Sequence, residues 1–192
     1  MGLDLRLTDD PDADRLLSAN PLALLLGMLL DQQVAMEWAF SAPLKLAERL
    51  DGPLDAATLA GKAPEEVEAL FTAKPALHRY PGSMARRAHA LSQYIVEEYG
   101  GDTAAIWNDV ADGKELLRRL KALPGFGDQK ARIFLALLGK QCGVTPEGWR
   151  EAAGDYGQDG HRSIADVTSP DALALVREYK QAGKVAAKQA KR

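Results

Sequence analysis

The chain predicts an all-α fold, and three observations carry that prediction. Apolar residues recur at helical spacing along most of its length. No stretch alternates as a half-buried strand would, and no internal repeat is visible. Proline, glycine, asparagine and aspartate fall between the periodic stretches, where helices start and stop.

Taken in order, Asp9-Asp-Pro-Asp-Ala-Asp opens a short helix with acids at its positive end. Asn20 caps a second, with Pro21 at its first position. Leu22 to Leu30 is apolar on nearly every face, so it is expected at the buried centre. It runs into Asp31-Gln32-Gln33-Val34, and two glutamines at the end of a buried helix are unusual for plain core. A helix from Met36 to Leu50 and two short ones, Leu54 to Leu59 and Pro64 to Phe71, follow. Lys74 to Gly82 reads as a loop, since two prolines and a glycine interrupt it. Ser83 is expected to cap Met84 to Tyr99, which presents Arg86, Arg87 and His89 and stops at Gly100-Gly101. Asp102 to Val110 reads as another short helix. Thr145 and Pro146 are expected to be N-cap and first residue of a helix carrying Glu147. After Ala153 a glycine-rich loop holds Asp155 and Asp159, and Pro170 to Ala182 gives the last helix.

With 192 residues and 46% hydrophobic content, the chain suits one domain, or one core split into two helical lobes. No apolar run of about 18 residues and no secretory leader is present, so the expectation is a cytoplasmic protein with no membrane role. A single cysteine, Cys142, excludes a disulfide framework and any cluster held by several thiolates. The net charge of −3 does not itself predict a polyanionic partner. The final stretch, residues 171–192, nevertheless carries six basic residues against Asp171 and Glu178, a local excess of +4. Such a tail is either a solvated end or a source of non-specific phosphate affinity.

The most informative stretch is Leu120 to Leu138, within a hairpin spanning 113–138. Leu116, Leu117, Leu120 and Leu123 form one helical stripe; Ala131, Phe134, Leu135 and Leu138 form the next. Between them Pro124 stops the first helix, and Gly125 and Gly127 allow a tight turn. The second helix then points its free N–H groups outward, a ready site for a phosphate.

Leu123-Pro-Gly-Phe-Gly followed by Ala131 resembles the helix-hairpin-helix motif. The order of the other pieces extends the likeness: Gln32-Gln33 ends an apolar helix, and Gly82 to Arg87 carries a Gly-x-x-Ala-Arg segment, with Arg86 in the arginine place. An acid near a helix start then follows about twenty residues after the hairpin. Together these resemble the helix-hairpin-helix base-excision DNA glycosylases, over roughly residues 20 to 153, and most nearly the compact bacterial members without an iron–sulfur cluster.

The resemblance implies two α-helical lobes with duplex DNA across the cleft, and a damaged or mismatched base flipped into a pocket. It implies that backbone amides of Gly125, Phe126, Gly127, Asp128 and Gln129 hold phosphate, joined by Lys130, Arg86 and Arg87, with His78 and His89 as further phosphate contacts. Gln33 matches the side chain that fills the gap left by the flipped base. Asp31, Gln32, Trp38, Tyr80 and Trp149 are the candidate base pocket. The carbonyls of Lys121, Leu123 and Phe126 match those that hold a monovalent Na+ or K+ at the hairpin; no other cofactor is implied, and a monomer is expected. Members that nick the strand have lysine two residues after the second hairpin glycine. Gln129 stands there, so a monofunctional enzyme is expected, with Lys130 exposed or on phosphate. The usual Val-Asp signature of the catalytic acid is absent, since Thr145 follows Val144. Family spacing places Glu147 in that role, with Asp155 and Asp159 as alternatives. Two rival readings stay open: a non-catalytic DNA-binding module, and an all-α protein-interaction adaptor. Which base would be excised does not follow from the sequence.

Overall fold

A computed structural model describes residues 3–189, without the side chains of Lys184 and of residues 186–189. All regular structure among the described residues is helical. The helices are α1 (Pro11–Ala19), α2 (Pro21–Leu30), α3 (Met36–Arg49), α4 (Ala56–Ala60), α5 (Pro64–Thr72), α6 (Pro81–Tyr99), α7 (Gly113–Ala122), α8 (Asp128–Gln141), α9 (Trp149–Ala153) and α10 (Pro170–Gln189). Short 3-10 turns lie at Thr103–Ile106, Gly154–Gly157 and Ile164–Asp166. No single described helix is long and apolar enough to cross a membrane.

Asp10 caps α1 by accepting from the amides of Asp12 and Ala13. Asn20 caps α2 by accepting the Ala23 N–H at 3.0 Å, while its amide donates to Leu54 O at 2.8 Å. Every residue from Leu22 to Leu30 is buried. Each such leucine contributes about 1.5–3 kcal/mol by leaving water. Gly27 is needed for this packing, because a Cβ there would meet the Phe40 ring at 2.5 Å.

Helices α1 to α6 pack around α2, α3 and α6, whereas α7, α8, α9 and the later 3-10 turns pack on one another. One apolar core joins both groups, from Leu25 and Phe40 through Ile106 to Phe134 and Leu138. Trp107 and Phe126 each meet Phe134 edge-on, with centroids 5.7 and 6.0 Å apart.

Several boundaries differ from the sequence expectation. Helix α6 begins at Pro81 rather than at Met84, so Ser83 lies in its first turn instead of capping it. The stretch after Asp102 makes only a 3-10 turn. Helix α8 runs on to Gln141, beyond the expected end of the hairpin at residue 138. Helix α9 begins at Trp149 after left-handed Gly148, so Thr145 is not its cap and Glu147 is not in its first turn. The expected dipole partnership of Glu147 is thereby lost. Helix α10 extends to Gln189, longer than the expected stop at Ala182; Lys191 and Arg192 of the basic tail lie outside the described residues.

Candidate nucleic-acid interface and active site

The hairpin turn sits directly on the C-terminal end of α2. Gly125 adopts φ +85°, and a Cβ on it would meet Leu29 Cδ1 at 2.6 Å. Gly127 has ordinary backbone geometry (φ −87°) and open space where a Cβ would go. The two glycines therefore have different reasons: the first is demanded by packing, the second leaves the start of α8 uncovered. The amides of Gly125, Gly127, Asp128 and Gln129 are on exposed residues and meet no acceptor among the described residues. Phe126 does not join them, because its N–H closes the turn on Leu123 O at 3.0 Å and its ring is buried. This corrects its expected phosphate role.

Three consecutive residues of α8 point in three directions, as a 100° step dictates. Asp128 is gripped by Lys121 and Arg132, each at 2.8 Å; these hydrogen bonds hold its carboxyl below the usual range. Gln129 donates to the Tyr156 hydroxyl at 2.9 Å. Lys130 turns inward, and its ammonium donates to Met28 O at 2.8 Å and Leu29 O at 2.7 Å, capping α2. Burial lowers its pKa to about 8, although Asp31 nearby opposes the shift. Lys130 is thus neither exposed nor a surface phosphate contact, contrary to expectation.

Around this junction lies a polar cluster. Gln32 donates from its amide to Leu29 O at 2.8 Å and accepts from Arg87 Nη1 at 3.1 Å. His78 is fully buried; its Nδ1 accepts the Tyr80 N–H at 3.0 Å, and its Nε2 donates to Gln32 O at 2.9 Å. That pairing fixes a neutral imidazole, and burial pushes its pKa down. Gln33 is exposed and holds φ +58°, a conformation uncommon for a residue with a side chain. Trp38 and Tyr80, both exposed, flank His78 with ring centroids 6.4 and 6.2 Å away. The Asp31 side chain is only 10% exposed, and Lys180 of α10 lies 3.6 Å from its Oδ2. Arg177 of α10 pairs with Glu37 of α3, so α10 reaches across to the N-terminal helices.

The structure brings together Asp31, Gln32, Gln33, Trp38, Tyr80, Arg87 and Lys130 beside the hairpin turn, but not Arg86, Glu147, Trp149, Asp155 and Asp159. Trp149 packs over Gly139 under the Arg150 guanidinium, 4.5 Å from its ring centroid. Arg86 faces Glu68 of α5 at 3.5 Å. His89 is buried against Ala60 O, and His78 is an internal brace, so neither ring is presented at the surface as the phosphate role expected. Glu147 lines a separate cavity of about 800 Å³ with Asp112, Lys114, Arg118 and Arg132. Asp155 and Asp159 are exposed, and Asp159 faces Arg150 at 3.7 Å. Cys142 is half-buried, with its thiol pushed up to about 11, and so stays protonated.

The bracing role of His78 was not readable from the sequence, where a lone histidine between prolines looks like a loop residue. The signal for Asp31 was present: a carboxylate placed at the negative end of an apolar helix. No family model matches this chain, and neither does any curated protein or solved structure.

Proposed function

We propose that the protein is a DNA glycosylase of the helix-hairpin-helix kind, which binds duplex DNA and hydrolyses the N-glycosidic bond of a flipped damaged or mismatched base. In this reading α1–α6 and α7–α10 are two lobes of a cleft, and the cytoplasm is its compartment. One observation carries it: the hairpin turn, with four exposed amides, rests on the end of α2 that bears Gln32, Gln33 and Asp31. Phosphate gripped by those amides would bring the duplex against Gln33, whose exposed, left-handed position suits a residue pushed into a base stack. Trp38 and Tyr80 offer aromatic faces beside it for an extruded base.

Gln129 supports hydrolysis without strand nicking, since it offers no amine. Lys130 holds two carbonyls, which occupies its ammonium in the free protein. A Na+ or K+ at the turn would rest on the carbonyls of Lys121, Leu123 and Phe126. The Leu123 oxygen fits that use, since it accepts one hydrogen bond and keeps a lone pair.

The test is duplex binding against salt, followed by single-turnover excision on duplexes with uracil, hypoxanthine, alkylated purines, oxidised guanine or mismatches. Affinity should fall steeply with salt. Breaks should appear only after heat and alkali. Binding without excision of any lesion would favour a non-catalytic module, a reading supported by the placement of Glu147 in a cavity whose lining does not include Gln33. Absence of duplex binding at low salt would favour the adaptor.

A further inference from the structure

Breaking an N-glycosidic bond leaves positive charge on the sugar, and the usual protein answer is a carboxylate held in a site shielded from water. Five carboxylates come into question near the hairpin. Asp128 is occupied by Lys121 and Arg132. Glu147 belongs to the cavity beside α7, on the side of α8 that Arg132 faces. Asp155 and Asp159 stand in water. Asp31 alone is largely buried, follows directly on α2, and adjoins Gln32-Gln33.

We infer that Asp31 is the catalytic carboxylate of this chain, a role that rests on the glycosylase reading above. Three observations support it. Its side chain accepts no hydrogen bond from the described residues; its cation, Lys180, is 3.6 Å away, so its oxygens are not committed to a close partner. It sits at the C-cap of α2, where the helix dipole disfavours negative charge, so α2 itself gives no reason for an acid there. Lys130, close enough to feel the Asp31 charge, spends its hydrogen bonds on Met28 O and Leu29 O, which supplies positive potential without capping the carboxylate. Lys180 is partly exposed and can be drawn off by a DNA phosphate.

In the reaction the base leaves with the electron pair of the C1′–N bond. Asp31 stabilises the sugar cation and takes a proton from the water whose oxygen bonds to C1′. That proton then passes to the departing base nitrogen, so one water is consumed and the carboxylate is restored.

The experiment measures single-turnover excision and duplex affinity for wild type, Asp31→Asn, Asp31→Glu, Glu147→Gln and Asp155→Asn, with a thermal melt of each. The expected result is a loss of 100-fold or more in excision for Asp31→Asn. Its affinity should stay within about threefold of wild type, Asp31→Glu should recover part of the rate, and the other two variants should stay near wild type. Excision retained in Asp31→Asn but lost in Glu147→Gln or Asp155→Asn would overturn the assignment while leaving a glycosylase. Equal losses in Asp31→Asn and Asp31→Glu with lowered melting temperatures would overturn it in favour of a structural role. A wild-type protein that binds duplex and excises nothing would overturn the glycosylase reading and the assignment with it.

Discussion

Gly125 and Leu29 are packed so closely that a single methyl group on the glycine would overlap the leucine side chain. This contact locks the hairpin turn to the end of α2, and with it the spatial relation between the uncovered amides and the Gln32-Gln33 segment. It also separates two glycines that look equivalent in the sequence.

Gly125→Ala should destabilise the protein by about 2–4 kcal/mol, from overpacking and from the left-handed φ. That corresponds to a fall of roughly 5–15 °C in melting temperature. Gly127→Ala should keep its stability within about 0.5 kcal/mol, because nothing lies near the added carbon. If α8 grips phosphate, Gly127→Ala should nevertheless weaken duplex binding severalfold. Thermal melts and a binding titration on both variants check this, and an unchanged melt for Gly125→Ala would refute the packing argument.

Lys130 should produce a characteristic alkaline dependence of stability. Its folded pKa of about 8 lies below the 10.5 of the unfolded chain, so between those values the unfolded state binds more protons. Stability of wild type relative to Lys130→Met should then rise with pH across about 8 to 10.5, by at most ~1.4 kcal/mol per pH unit. Urea unfolding of both proteins from pH 7.5 to 10.5 tests the sign. A flat difference would mean that the amine is not buried in solution.

His78 predicts the opposite end of the scale. Burial depresses its folded pKa below 6.5, so the unfolded state takes up the proton first. The contribution is fully present above pH 6.5 and is lost as the pH falls below that value. Protonation would also leave Nδ1 facing the Tyr80 N–H as donor against donor. The acid-side loss should be smaller in His78→Gln, as measured by urea midpoints between pH 7.5 and 5.

The reach of α10 onto the N-terminal helices is braced by two ion pairs, Arg177 with Glu37 and Lys180 with Asp31, beside the buried Leu173 and Val176. Such pairs weaken with salt. Trypsin should therefore cut within α10 severalfold faster at 1 M NaCl than at 50 mM, after correction for its rate on an unfolded substrate. Arg177→Ala should raise the low-salt rate of cutting at the remaining basic residues. Equal rates at both salt concentrations would mean that the ion pairs do not hold the helix down.

Much of the fold was legible because its signals are local. Asn20-Pro21, the unbroken apolar run of α2 and the double glycine after Tyr99 mark boundaries through hydrogen bonding and backbone freedom that neighbouring residues decide. Helix α9 was misplaced for a related reason: Thr145-Pro146 is a good local start, but Glu147 O is taken by the Gly113 N–H of α7, and the helix begins two residues later. Tertiary hydrogen bonding overrode the cap.

The sequence by itself determined that the chain is helical, that two helices meet at Leu123-Pro-Gly-Phe-Gly, and that polar Asp31-Gln32-Gln33 ends a buried helix. Spacing and chain stiffness suffice for such statements. Only the tertiary structure decided which polar residues share a surface: Lys130 under α2 rather than in solvent, His78 behind Gln32 rather than on a loop, and Glu147 beside α7 away from Gln33. Those relations join residues as many as 102 positions apart through contacts between elements distant in the chain, which no local window of sequence encodes.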